Sequence, residues 1–116
     1  MTIEVLDAMN ATAATVEPDV DEFELAGVTP VASTHIAAPM VAESKANFEC
    51  TITHILPIGE GSMGGHLAVG EAVAIHVAGE LLNGTRIDQA SLHAVGRHVG
   101  NWYSNPTDLF EIDRPS

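Results

Sequence analysis

Between residues 47 and 77 the chain alternates twice with a period of two, the spacing of a half-buried β-strand. Phe48, Cys50, Ile52, His54, Leu56 and Ile58 fall on one side of the first run, and Glu49, Thr51 and Thr53 on the other. The second run sets Leu67, Val69, Val73, Ile75 and Val77 against the small residues Ala68, Gly70, Ala72 and Ala74, so it can be covered on both faces. A glycine-rich connection, residues 59–65, joins the two, and together they predict an antiparallel hairpin. Folding the runs symmetrically about that connection sets His54 opposite Glu71. Glu71 is the odd acid among large residues: buried, it requires a hydrogen-bonded or charged partner, and at a strand end it reaches water.

The flanking segments carry weaker patterns. Ile3, Leu6, Met9 and Ala13 share one face of a predicted helix over residues 2–14, with Thr2 as its cap. Residues 16–24 hold five acids and Pro18, and Phe23-Glu24-Leu25-Ala26-Gly27 predicts one helical turn closed by a glycine. Pro30 and Pro39 keep residues 29–44 extended, with Val31 and residues 34–36 as an edge strand. Asn83-Gly84 turns the loop over 80–87, and Asp88 caps a short helix over 89–95 that buries Leu92 and Val95. Leu109, Phe110, Glu111 and Ile112 alternate as a last strand before Arg114-Pro115. The expected fold class is mainly β with peripheral short helices, a small barrel or an open sheet.

Composition narrows the partners. The 116 residues suffice for one domain, within which residues 1–27 form a helical acidic segment. Sixteen acids against four bases leave a net charge of -12, which disfavours nucleic acid and anionic membrane. Lys45, Arg86, Arg97 and Arg114 are also too scattered for a phosphate clamp, so cations for a phosphorylated cofactor would come from elsewhere. The single Cys50 excludes an internal disulfide and reads as a buried thiol in a reducing compartment. With no apolar run of about 18 residues and no basic amino-terminal signal, the expected location is cytoplasmic.

Residues 96–103, Gly96-Arg97-His98-Val99-Gly100-Asn101-Trp102-Tyr103, gather a guanidinium, an imidazole, two glycines and two polar-tipped aromatics. Such a loop either covers one end of the sheet or lets backbone approach a flat ligand on which an aromatic packs. The six histidines, at positions 35, 54, 66, 76, 93 and 98, lack the spacing of a compact metal motif.

Several of these stretches, taken in order, resemble the flavin reductase-like family in its flavoredoxin-like branch. They are Ala8-Met9-Asn10-Ala11-Thr12-Ala13, Asp21-Glu22-Phe23-Glu24-Leu25-Ala26-Gly27-Val28-Thr29-Pro30-Val31, Val41-Ala42-Glu43-Ser44 with Phe48-Glu49-Cys50, and Gly70-Glu71-Ala72-Val73. Gly96-Arg97 with Gly100 and Tyr103, Leu109-Phe110-Glu111 and Arg114-Pro115 complete the series. The likeness is to the carboxyl-terminal part of that family, whose members begin with further barrel strands. The resemblance implies a partial split β-barrel, FMN binding, and electron transfer from NAD(P)H to flavin. It also implies either a homodimer or a complementary amino-terminal chain, the sequence being expected to be truncated.

Carried over residue by residue, the resemblance makes Arg97, Gly100 and Tyr103 cofactor-side contacts. Gly70 and Glu71 fall on a Gly-Glu-Val strand of the family, with Ala72 in place of the valine. His66 resembles the histidine preceding that strand, at a spacing one residue shorter. The same residues also suit a non-catalytic binding or dimerisation module that needs a partner chain.

Overall fold

The computed structural model describes residues 1–61 and 64–115. A 3-10 turn at Ile3–Val5 runs into α1 (Leu6–Ala11), followed by α2 (Glu22–Ala26), β1 (Pro30–Val31) and β2 (Met40–Val41). The long strands β3 (Ala46–Ile58) and β4 (Gly65–Val77) come next. A second 3-10 turn at Gly79–Leu81 then leads to β5 (Leu82–Asn83), β6 (Arg86–Ile87) and α3 (Gln89–Leu92). The strands pair as three antiparallel ribbons, β1 with β2, β3 with β4 and β5 with β6, and among the described residues no strand closes them into a barrel. The architecture is mainly β with a few short helices, as the alternation predicts.

Local chemistry sets the helix ends. The Asp21 carboxylate accepts from Phe23 N–H at 2.8 Å, and Gly27 closes α2 at φ 67, its N–H reaching Glu24 O while Val28 N–H reaches Phe23 O. Asp88 caps α3 by accepting from Ser91 N–H at 2.9 Å. That helix stops at Leu92, short of the predicted Val95, because His93 enters the left-handed region at φ 54. Leu92 and Val95 are consequently half-buried. Thr2 stands at the predicted cap position but makes no capping hydrogen bond.

The hairpin forms, with a register that corrects the symmetric expectation. Thr51, not His54, faces Glu71, and His54 faces Val69. The pairs beside the turn, Ile58–Gly65 to His54–Val69, already stand two residues off the symmetric fold, and two bulges shift the ladder once more over the middle of the ribbon: Val73 is extra on β4 between the Glu49–Ala74 and Cys50–Ala72 pairs, and Thr53 is extra on β3 between Ile52–Gly70 and His54–Val69. Each extra residue turns its strand over, so the expected single face of β3 divides. Phe48, Cys50 and Ile52 share one face of the ribbon, and His54, Leu56 and Ile58 share the other with Asn47 and Glu49. Ser62 and Met63 of the predicted connection lie outside the described residues.

Burial overturns further expectations. Among the described residues Leu81 is the one large apolar side chain fully buried, whereas Phe48 is 58% exposed and Glu49, expected on the polar side, is 0% exposed. Cys50 is exposed rather than buried. Residues 34–36 are bent loop and not strand, since the N–H groups of Thr34 and His35 are drawn to Glu49 instead of a neighbouring ladder. Residues 109–112 also form no strand, and Phe110 and Ile112 stand exposed.

Candidate functional site

The amino-terminal segment docks on residues 93–95, and a pocket forms beside that junction. Thr2 bridges Ala94 in an antiparallel pair, Ile3 N–H donates to His93 O at 3.0 Å, and Val95 N–H donates to Met1 O at 3.2 Å. An ionic clamp reinforces the docking. Glu4 Oε1 accepts from Lys45 Nζ at 2.6 Å and lies 2.9 Å from His93 Nδ1, while Lys45 Nζ also reaches Ser91 O. Lys45 first and His93 second hold the Glu4 carboxyl well below the usual carboxylate range. The segment leading into α1 is therefore tied both to the start of β3 and to the end of α3.

Beyond the clamp, residues 96–104 double back on themselves. Arg97 and Tyr103 form an antiparallel bridge, His98 N–H donates to Trp102 O at 2.9 Å, and Ser104 N–H donates to Gly96 O at 2.9 Å. The reversal needs Gly100, whose φ of 62 favours a residue without a side chain. Arg97 also points its guanidinium at Gly100 O, 3.4 Å away. This loop and the face of α1 that carries Leu6, Asp7 and Asn10 enclose a pocket of about 410 Å³, completed by Arg97, Gly100, Asn101 and Tyr103.

The three candidates Arg97, Gly100 and Tyr103 are thus brought together. His66 and Glu71 do not line this pocket: they lie on β4, paired with Pro57 and Thr51, and the alternation puts them on opposite faces of the ribbon. Asp7, Asn10 and Asn101 were not singled out from the sequence. The available signal was helical spacing, which stacks Asn10 over Leu6 and Asp7 on one side of α1.

A second polar centre, also missed, surrounds Glu49. Its Oε1 accepts from Thr34 N–H and Thr34 Oγ1, each at 2.9 Å, and lies 2.6 Å from His76 Nε2. Its Oε2 accepts from His35 N–H at 2.6 Å, with His35 Nδ1 at 3.5 Å. Burial pushes this carboxyl up, but the Thr34 and His35 backbone donors, His76 and the Thr34 hydroxyl together outweigh it and hold the group at about 2. Because a carboxylate only accepts, His76 Nε2 carries the hydrogen in this pair. Asn47, two residues before Glu49, completes the attachment of the 29–44 segment by exchanging hydrogen bonds with Val41 N–H and O, each at 3.2 Å.

An apolar cavity of about 270 Å³ between α1, α2 and β2, lined by residues such as Val5, Met9, Val28 and Val41, offers few groups to orient a polar ligand. Among the described residues no three His, Cys, Asp or Glu side chains gather as a metal site, and no helix is long and apolar enough to cross a membrane.

The pocket's chemistry can be tested against a flavin. Pockets for ligands of this size span roughly 300–1,000 Å³ and pair an aromatic wall with a few oriented polar groups. Tyr103, the Arg97 donors, the Asp7 acceptor and the two-way amides of Asn10 and Asn101 match the heterocycle edge and the hydroxyl chain of such a ligand.

Comparison with known proteins points the same way. The sequence profile described as "flavin reductase like domain" matches residues 1–98. BH2278 of Halalkalibacterium halodurans is 33% identical over 113 residues, covering 96% of this chain and 54% of that protein. YwrF of Bacillus subtilis is 26% identical over 116 residues, 97% of this chain and 57% of the relative. The chain thus spans little more than half the length of these relatives. Among solved structures, nitrilotriacetate monooxygenase component B from Bacillus cereus superposes with a TM-score of 0.85 at 32% identity, over 96% of this chain and 56% of that one. A protein described as a flavin reductase with a split barrel domain, from Shewanella frigidimarina, shares the fold alone at 20% identity, with a TM-score of 0.81 over 99% and 58% of the two chains.

Proposed function

The chain belongs to the flavin reductase-like family, and from that premise we propose that it is the carboxyl-terminal part of an FMN-binding oxidoreductase domain that takes electrons from NAD(P)H. The observation that carries this reading is the convergence of Arg97, Gly100 and Tyr103 in one pocket with Asp7, Asn10 and Asn101. Arg97 and the two asparagines would hold polar edges of the flavin, Tyr103 would supply the aromatic wall, and Gly100 would let backbone approach. A bound flavin supplies the hydride and electron chemistry. The contribution of this chain is binding, orientation and the exclusion of water from one side of the ligand.

A second reading, a binding or dimerisation module without catalysis, is favoured by the hairpin. Phe48, Ile52, Ile55, Ile58 and Ile75 are all exposed on β3 and β4, more apolar surface than a ribbon normally leaves to water. In either reading a second copy or a complementary amino-terminal chain would cover it.

Titration of the purified chain with FMN, followed by fluorescence quenching, tests the first reading. Saturable binding that Tyr103→Ala weakens by roughly tenfold, in line with the loss of an aromatic stacking contact, is expected. A folded chain that leaves FMN fluorescence unchanged would leave the module reading in place.

A further inference from the structure

We propose that Ser104 is a positioning residue for the candidate site: its hydroxyl, latched onto Gly96, holds the 96–104 loop in the shape that brings Arg97 and Tyr103 together. For the identity of the ligand, and for that alone, the proposal rests on the flavin reading above. Arg97 and Tyr103 stand opposite each other across the loop, so the ladder sends both side chains to one side, while His98 and Trp102, one rung nearer the tip, fall on the other. The pocket follows that division, being lined by Arg97 and Tyr103 and not by His98 or Trp102. A slip of one residue between the two legs would set Arg97 against Trp102 or Ser104 and part the pair.

The rung that opposes such a slip joins residues 96 and 104. Ser104 N–H donates to Gly96 O at 2.9 Å. In a regular antiparallel ladder Gly96 N–H would return a bond to the carbonyl of Ser104. Here it donates to Ser104 Oγ at 3.1 Å instead, and the hydroxyl donates to Gly96 O at 3.4 Å. The side chain completes a rung that the backbone leaves half made.

The latch also reserves position 96 for glycine. Gly96 is not among the glycines of positive φ, so the requirement is one of space. A Cβ at this position would stand 2.7 Å from Ser104 Oγ, inside van der Waals contact. Ser104 can relieve that contact only by swinging its hydroxyl off the Gly96 N–H. Past Ser104 the recorded hydrogen bonds are local, from Thr107 and Asp108 to Asn105, while the buried Pro106 keeps this leg close to the body of the fold. Burial of Pro106 therefore sets nearness, and the latch sets register. Both latch residues are exposed, so water competes for their bonds and the latch biases the loop by a modest factor.

Ser104→Ala, Gly96→Ala and the double variant test the proposal beside the parent chain. Three quantities are read: FMN affinity by fluorescence quenching, thermal midpoint, and the near-ultraviolet circular dichroism of Trp102, the single tryptophan, which lies on this loop. Each single variant should weaken FMN binding by roughly threefold to tenfold and reduce the Trp102 signal, with a midpoint within about 3 °C of the parent because the loop opens without global unfolding. Since the added methyl of Gly96→Ala acts through Ser104 Oγ, the double variant should match either single variant within about twofold. Parent affinity and parent Trp102 signal in Ser104→Ala, or effects of the two substitutions that multiply in the double variant, would overturn the proposal. So would a midpoint that falls together with affinity by more than about 5 °C, which would make Ser104 a residue of the fold at large. A parent chain that binds no FMN overturns the flavin reading, and the latch is then judged on the Trp102 signal of the same four chains: a loss in each single variant that the double does not deepen supports it, and an unchanged signal overturns it.

Discussion

Replacing Glu49 by glutamine changes one atom at the most heavily bonded side chain of the fold. The carboxylate receives Thr34 N–H, Thr34 Oγ1, His35 N–H and His76 Nε2 with no exposure to solvent. A glutamine keeps one oxygen, and with it at the Oε1 position the amide NH₂ confronts the His35 N–H, donor against donor. One buried backbone donor is left unpaired and three bonds lose their charge assistance. For a chain of this length that corresponds to a fall of roughly 10–15 °C in thermal midpoint at neutral pH.

The pH dependence gives the experiment a second axis. The carboxyl titrates near 4.5 in its ordinary state and at about 2 in the fold, so the native state holds the charged form more strongly. The stabilisation is complete above pH 4.5 and is lost as the pH falls through about 2. Thermal melts followed by circular dichroism should therefore show the gap between parent and Glu49→Gln narrowing across that window. A variant melting within about 2 °C of the parent at pH 7, with a gap that does not vary with pH, would refute the argument.

Leu81→Ala should destabilise the chain by about 2–4 kcal/mol in urea unfolding, since Leu81 is 2% exposed and the smaller side chain leaves a cavity. A loss under about 1 kcal/mol would mean that the site collapses around the smaller residue. His54→Ala should leave stability within about 0.5 kcal/mol, because His54 is exposed, faces Val69 and bonds only its neighbour Thr53. A larger loss would speak for a partner across the ribbon and against the register with Thr51 facing Glu71.

What the sequence made legible was chemistry confined to a few neighbouring residues. The cap by Asp88, the left-handed Gly27 and the two strand runs follow from local preferences that tertiary structure did not override. The gathering of Arg97, Gly100 and Tyr103 was visible because a single short loop holds all three. The bulges at Thr53 and Val73 were not, since neither position carries a residue that signals an extra unit, and the two slips cancel in the pairing beyond them. The burial of Glu49 was hidden for another reason: the Thr34 and His35 groups that bond it belong to a loop 15 and 14 residues before it, and His76 lies 27 residues after it. The alternation over 109–112 failed for the opposite reason: a strand pattern forms a strand only when it pairs with a neighbour, and no described residue pairs with this one. Asp7 and Asn10 looked like a solvated helix face because the loop that faces them comes about 90 residues later in the chain.

The paired bulges also decide where this ribbon tolerates a change of length. Deleting Thr53 would remove the residue that has no partner and leave Ile52 opposite Gly70 and His54 opposite Val69. Deleting Val73 would do the same on the other strand, between the pairs Glu49–Ala74 and Cys50–Ala72. Loss of any residue inside the regular ladder, Ile55 for instance, would instead invert the tip of the hairpin relative to its base and turn Leu56 and Ile58 to the opposite side. Single-residue gaps in this hairpin are therefore confined to two positions, one on each strand.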